Sequence, residues 1–272
     1  MRNKLIFLGT AGDSLTLAKQ RRAGGGFILQ LEGGQYHIDP GPGALAAAAK
    51  ANVSARETIC VLISNNSLLA SEGVNEVLDA MTLGGIDRFG VVVAAESVAD
   101  GAEDERPIIR EQAKNWVERV VTFRDTTRIG VNYLNIFPRK AHTLDPTALG
   151  FRLEGPNITI GYMGDTAWFD GITKEYAGVD ILIVRCRHPK GAHEKGTLAV
   201  DEVIKVIEGI KPRVCVLTGL GNKLLDGDVI ATARSIQRET KVQCIAAKDG
   251  FEVDIDQFAG KASQQTLKGY KK

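Results

Sequence analysis

The 272-residue chain has no surplus of either charge: 34 lysines and arginines face 33 aspartates and glutamates. A nucleic-acid coat or a polybasic membrane binder needs a strong cationic excess, so the balance argues against both as dedicated roles. A local basic patch such as Lys19-Gln20-Arg21-Arg22 stays open. Apolar runs stop after five or six residues, far short of a membrane span, and the opening stretch Met1–Gly9 offers no signal-peptide core. Cysteine is scarce and scattered. Cys60, Cys215 and Cys244 sit inside apolar runs and Cys186 follows one, with no C-x-x-C pair. Buried free thiols in a reducing cytoplasm are expected. No G-x-S-x-G elbow surrounds any serine, and neither Ser64 nor Ser67 has an adjacent base. Gly9–Gly12 lacks the P-loop lysine and the spaced glycines of a dinucleotide site.

What is abundant is glycine, with 30 residues gathered at turns. Lys4–Leu8 reads as a strand broken by Gly9–Gly12, and Phe27–Leu31 and Tyr36–Ile38 as a hairpin joined by Gly33-Gly34. Asp39-Pro40-Gly41-Pro42-Gly43 then leads into an alanine-rich helix, 44–51. Further strands are expected at 59–63, 91–95, 158–162, 181–184, 214–217 and 242–246. Between them, Val74, Val77, Leu78 and Met81 form a helical stripe, as do Val200, Val203, Ile204 and Ile207. Ile230, Ala233 and Ile236 form a weaker one. Helices alternating with short strands predict a layered α/β fold. One domain is expected over 1–260, followed by a polar basic tail, 261–272, that frays.

Five of the glycine-bounded segments occur in a particular order: Phe7-Leu8-Gly9-Thr10-Ala11-Gly12, His37-Ile38-Asp39-Pro40-Gly41-Pro42-Gly43, Gly161-Tyr162-Met163-Gly164-Asp165-Thr166, Leu217-Thr218-Gly219-Leu220-Gly221 and Lys248-Asp249-Gly250. In that order, over residues 3–255, the chain resembles the metallo-β-lactamase superfamily, and within it the ribonuclease Z-like branch of phosphodiesterases. The resemblance implies a four-layered αββα sandwich with a metal site on the rim where the two sheets meet. It also implies H-x-H-x-D-H after the strand at 59–64, since a dinuclear site needs imidazoles and carboxylates to hold two cations about 3.5–4 Å apart. Here the segment is Ser64-Asn65-Asn66-Ser67-Leu68-Leu69-Ala70. By position, Asn65 and Ser67 replace the first two histidines, Leu69 the aspartate and Ala70 the third histidine. Gly219 replaces the last ligand histidine, and Thr197 an auxiliary histidine that donates a proton in the family. His142 and Asp165 alone keep ligand side chains.

One histidine and one carboxylate rarely hold a catalytic cation tightly. They are therefore expected as a hydrogen-bonded pair beside a vestigial pocket. The alternative is one weakly bound zinc or manganese that recruits His188 or His193 from a loop whose histidines are expected in solvent. His37 is expected to be buried and structural, and Asp39 to accept backbone N–H bonds in its own turn. Asp39, Asn66 and Asp249 are candidate ligand-binding residues, and Cys186, between Arg185 and Arg187, is the one thiol with a route to a lowered pKa. The expected function is a pseudo-enzyme that binds or scaffolds, without cofactor, as a homodimer or with a metal-competent paralogue, and with a small anionic ligand in the cleft. A metal-dependent phosphodiesterase with a rearranged site is the alternative. The segment 82–141 shows no long Gly/Pro-rich arm of the kind that grips tRNA.

Overall fold

The structure is a computed structural model that describes residues 3–102, 106–123 and 128–260. The expected basic tail lies outside the described residues. In chain order the strands are β1 (Lys4–Phe7), β2 (Phe27–Leu31), β3 (Gly34–Ile38), β4 (Thr58–Ile63), β5 (Val91–Ala94), β6 (Arg119–Thr122), β7 (Ile129–Val131) and β8 (Leu134–Lys140). They continue as β9 (Leu149–Glu154), β10 (Thr159–Met163), β11 (Ile181–His188), β12 (Leu198–Ala199), β13 (Val214–Thr218), β14 (Gln243–Ala246) and β15 (Phe251–Asp254). One sheet runs β15-β1-β2-β3-β4-β5-β6 and the other β14-β13-β11-β10-β9-β8-β7, with β12 paired to β11.

The hairpin between β2 and β3 pairs Leu31 with Gly34, so the turn is Glu32-Gly33 and Gly34 opens the second strand. Both turn residues lie in the left-handed region, at φ 48° and 80°. That is the type I′ geometry whose twist suits a two-residue connection. β3, β4, β5 and β6 then run parallel. Central parallel strands bury both faces, which explains why β4 is apolar at nearly every position rather than alternating.

The sheets pack face to face through Leu5, Phe7, Phe27, Leu29, Phe151, Ile160, Tyr162 and Ile183. Phe27 meets Tyr162 edge-on at 5.0 Å. Each outer face carries helices. Two short ones, α1 (Ser14–Ala18) and α2 (Ala44–Lys50), precede α3 (Leu68–Ser71) and α4 (Val74–Thr82). Val74, Val77, Leu78 and Met81 of α4 are fully buried, as the stripe requires. On the second sheet, Val203 and Ile207 of the helix Val200–Ile210 and Ile236 of the helix Val229–Thr240 close a separate apolar layer with Leu182, Val184 and Leu217. The result is the expected αββα arrangement of four layers. Among the described residues no helix is long and apolar enough to cross a membrane.

Strands β3, β4, β10, β11 and β13 all end at one rim, which gathers Asp39, Ser64, Asp165, His188 and Gly219. A bridge from Ala11 to Leu220 ties the two sheets together there.

Candidate functional site

Asp39, directly after β3, is 1% exposed and holds φ 51°. Its Oδ1 accepts from the Ser64 backbone N–H at 2.7 Å. Its Oδ2 accepts from Ser64 Oγ at 2.7 Å and from the Tyr162 hydroxyl at 2.5 Å. The expected turn-capping role is thus corrected: the donors come from the end of β4 and from β10 in the opposite sheet, so this carboxylate staples the two sheets. Burial pushes its pKa up to about 6, against the opposing pull of those hydrogen bonds and of Arg185.

The 65–70 segment is a structural turn. Asn65 donates through Nδ2 to Ser64 Oγ at 2.9 Å and accepts through Oδ1 from the Ser67 N–H at 2.8 Å, an Asx turn that launches α3. Leu69 and Ala70 are buried apolar side chains. Ser67 Oγ is buried without a hydrogen-bond partner. The Asn66 N–H donates to Asp145 Oδ2 at 2.9 Å. That buried aspartate also accepts from Ser97 Oγ and from the N–H and Oγ1 of Thr147, and so fixes the loop before β9. Asp145 carries no motif that sequence reasoning could have singled out.

At Asp165 the partners are two guanidinium groups. Its Oδ1 accepts from Arg185 Nε at 3.0 Å and from Arg187 Nη2 at 3.2 Å. Arg185 is 7% exposed and also reaches the Ala11 carbonyl oxygen. Burial opposes its charge, yet the Asp165 carboxylate, together with Tyr162 and Asp39, outweighs that and holds its pKa above the ordinary arginine value. Gly219 has φ 59°, and a Cβ there would lie 2.9 Å from Arg185 Cβ and Cγ and 3.0 Å from Nε. The arginine therefore fills the space a side chain at 219 would take.

His142 does not pair with Asp165, contrary to expectation. Its ring is exposed and stacks on Phe169, centroids 4.2 Å apart. Its backbone is tied down on both sides: the N–H donates to Thr166 Oγ1 and the carbonyl accepts from the Ala167 N–H at 2.8 Å. His188 is also corrected: it is buried, 4% exposed, with Nε2 3.0 Å from Thr197 Oγ1. Thr197 spends its own proton on the Glu194 carbonyl, so the imidazole donates and Nε2 carries the hydrogen. Burial lowers the His188 pKa. His193 faces solvent as expected, near Asp201 and Glu202. His37 is buried and bonded to the Gly25 carbonyl oxygen at 2.8 Å, and burial lowers its pKa to about 4. Cys186 lies inside β11, where burial raises rather than lowers its pKa, so the reactive-thiol idea fails.

The residues present do not fit a dinuclear metal centre. Asp165 is taken by two guanidinium groups, His142 is turned to Phe169, and the matched positions 65, 67, 69, 70 and 219 hold no imidazole or carboxylate. Among the described residues, no three His, Cys, Asp or Glu side chains are placed to hold a cation. Sequence reasoning missed Arg185 as a site residue. Its one signal was an arginine pair at i and i+2 closing a buried strand, which puts both side chains on one face.

Residues 35–219 match the model of the β-lactamase superfamily domain, and the chain belongs to the metallo-β-lactamase superfamily. An uncharacterized protein of Methanocaldococcus jannaschii is 26% identical over 270 residues, covering 98% of this chain and all of the relative. Among solved structures, the metallo-β-lactamase fold protein YhfI from Bacillus subtilis superposes with a TM-score of 0.77 at 15% identity, over 92% of this chain and 98% of that one. A diphosphatase of the PhnP family gives 0.67 at 16% identity, over 93% and 97%. At these identities the structural likenesses establish the fold alone.

Proposed function

We propose that this chain is a pseudo-enzyme of the ribonuclease Z-like branch, a binding or scaffold protein whose dinuclear centre has been exchanged for a guanidinium–carboxylate cluster. The single observation that carries the reading is Arg185, buried against Asp165 in the space left by Gly219. A guanidinium cannot lose its proton in a protein, so it neither acts as a base nor generates hydroxide from water. It does supply the positive charge that Asp165 needs once no cation is bound. A rearranged phosphodiesterase with one cation on His142 and Asp165 would need both side chains to abandon their partners. The branch assignment rests on the five glycine-bounded motifs in register.

Such a protein works through contacts: a small anion near the rim, a second copy of itself, or a metal-competent paralogue. Metal analysis after purification without chelator tests the reading. The expected result is well below one equivalent of zinc, manganese or iron and a melting temperature indifferent to EDTA, because a tightly held metal would stabilise the native state by RT ln(1 + [L]/Kd). Two tightly held equivalents, with hydrolysis of an activated phosphodiester abolished by EDTA, would overturn it. Light scattering at micromolar concentration tests assembly: a dimer is expected, and a strict monomer that co-purifies with nothing counts against the scaffold role.

A further inference from the structure

On the outer side of the first sheet, away from the Asp165 cluster, a cavity of about 690 Å³ opens between α1 and α2. Its volume falls within the roughly 300–1,000 Å³ typical of small-molecule sites. Leu8, Leu17, Pro42, Ala47 and Ala51 give it an apolar wall. Two cations also line it, Arg22 and Lys50, and neither forms an ion pair among the described residues.

The contrast with the neighbouring arginine is informative. Arg21 is fully engaged, donating to Asp226 Oδ1 at 2.6 Å and to Asn222 Oδ1 at 2.9 Å. Arg22 donates to no such partner among the described residues, and its Nε is buried without any acceptor. A buried charged donor left unmatched is costly unless something supplies the acceptor. The one acidic group on the wall, Asp249, is already committed. Its Oδ1 accepts from Thr10 N–H and Oγ1 at 2.9 and 2.7 Å, and its Oδ2 from the Ala23 N–H at 2.7 Å. It fixes the loop and leaves Arg22 unneutralised.

We propose that this cavity binds an amphipathic organic anion, with its apolar body along Leu8, Leu17, Ala47 and Ala51. Its phosphate or carboxylate head accepts from Arg22, with Lys50 as the second cation. The site is separate from the Asp165 cluster and does not depend on whether that cluster is catalytic. Isothermal titration calorimetry with decyl phosphate, decanoate, decyltrimethylammonium and inorganic phosphate, each below its micellar concentration, tests it. One of the two amphipathic anions should bind with one-to-one stoichiometry, and the stronger of them names the head group. The cationic amphiphile and inorganic phosphate should each bind at least about tenfold more weakly. Arg22→Gln and Lys50→Gln should each weaken the anion by about tenfold. Ala46→Trp, at an exposed position on the wall, should block it without moving the melting temperature. Saturable binding of neither anion, equal binding of the cationic amphiphile, or full affinity in the folded Arg22→Gln protein would overturn the proposal.

Discussion

Replacing Arg185 with methionine probes the proposed exchange of metal for guanidinium. The side chains of Arg185 and Asp165 are 8% and 9% exposed, so the pair is largely out of water. Breaking a buried pair by removing one partner costs about 3–5 kcal/mol, mostly because the remaining charge is stranded. Arg187, 3.2 Å from the same oxygen and 22% exposed, retains part of the compensation, so about 3 kcal/mol is expected for Arg185→Met. Asp165→Leu should cost a similar amount, because it leaves the Arg185 guanidinium with only the distant Ala11 carbonyl and Asp39 for company. The double variant carries no stranded charge at either position and fills the space with apolar atoms. Its cost should be only about 1–2 kcal/mol, giving a coupling energy of at least roughly 3 kcal/mol. Urea unfolding at pH 7 with unchanged m-values measures all four corners of the cycle. If the two single costs add to within about 0.5 kcal/mol of the double, the residues do not depend on each other and the argument for replacement is refuted.

Gly219→His should destabilise by about 3 kcal/mol or more, because φ 59° disfavours any β-carbon and the side chain would overlap Arg185. Adding Arg185→Ala should recover a measurable part of that loss by chemical denaturation, whereas simple backbone strain would leave it untouched. His37→Gln, which keeps a donor for Gly25, should change the pH profile. Between the unfolded value near 6.5 and the folded value of about 4, the unfolded chain binds a proton that the folded one refuses. The imidazole therefore withdraws up to about 3 kcal/mol as pH falls through that window. Asp39 acts in the opposite sense, since its pKa is raised to about 6: it favours the folded state on acidification and is a liability above that pH. Denaturation at pH 7 and pH 5 should thus show the His37→Gln protein gaining stability on acidification relative to wild type, and parallel profiles would refute the assignment. Asp145→Ala should cost about 3 kcal/mol, as Asn66, Ser97 and Thr147 lose their common acceptor, and thermal unfolding will show it.

The fold was legible where local chemistry and tertiary context agree. The strands expected at 59–63, 91–95, 181–184 and 214–217 are present because uninterrupted apolar runs bounded by turn residues are what buried parallel strands look like. The hydrophobic pattern did not mark strands β6 to β9, and only the family resemblance pointed to a strand at Gly150-Phe151. They include Arg119, Arg139 and Arg152 with partly exposed faces, and β8 carries Pro138, so neither alternation nor apolar runs marked them. β15 escaped for a similar reason: Phe251–Asp254 interleaves two acidic residues, and only its pairing with β1 makes it a strand.

At the site, the sequence showed which positions differ from the family pattern but not what surrounds Asp165. The missing histidines and aspartate could be read position by position from Asn65 to Ala70 and at Gly219. The compensating group sits elsewhere in the chain and reaches the gap only through the parallel pairing of β11 with β13 and β10. Register sets Arg185 beside Thr218, one residue short of Gly219, so the missing side chain at 219 opens room for the arginine. Asp165, one strand over, then receives a fixed positive charge from its neighbour. The absence of a side chain at 219 and the placing of the guanidinium are in this way two sides of one packing arrangement. A buried carboxylate is costly unless a charge such as a guanidinium stands against it. That requirement separates Asp165 from the apolar positions Leu69 and Ala70. With Arg185 and Arg187 beside it the aspartate is matched, whereas a carboxylate at the buried position 69 would need a cation of its own.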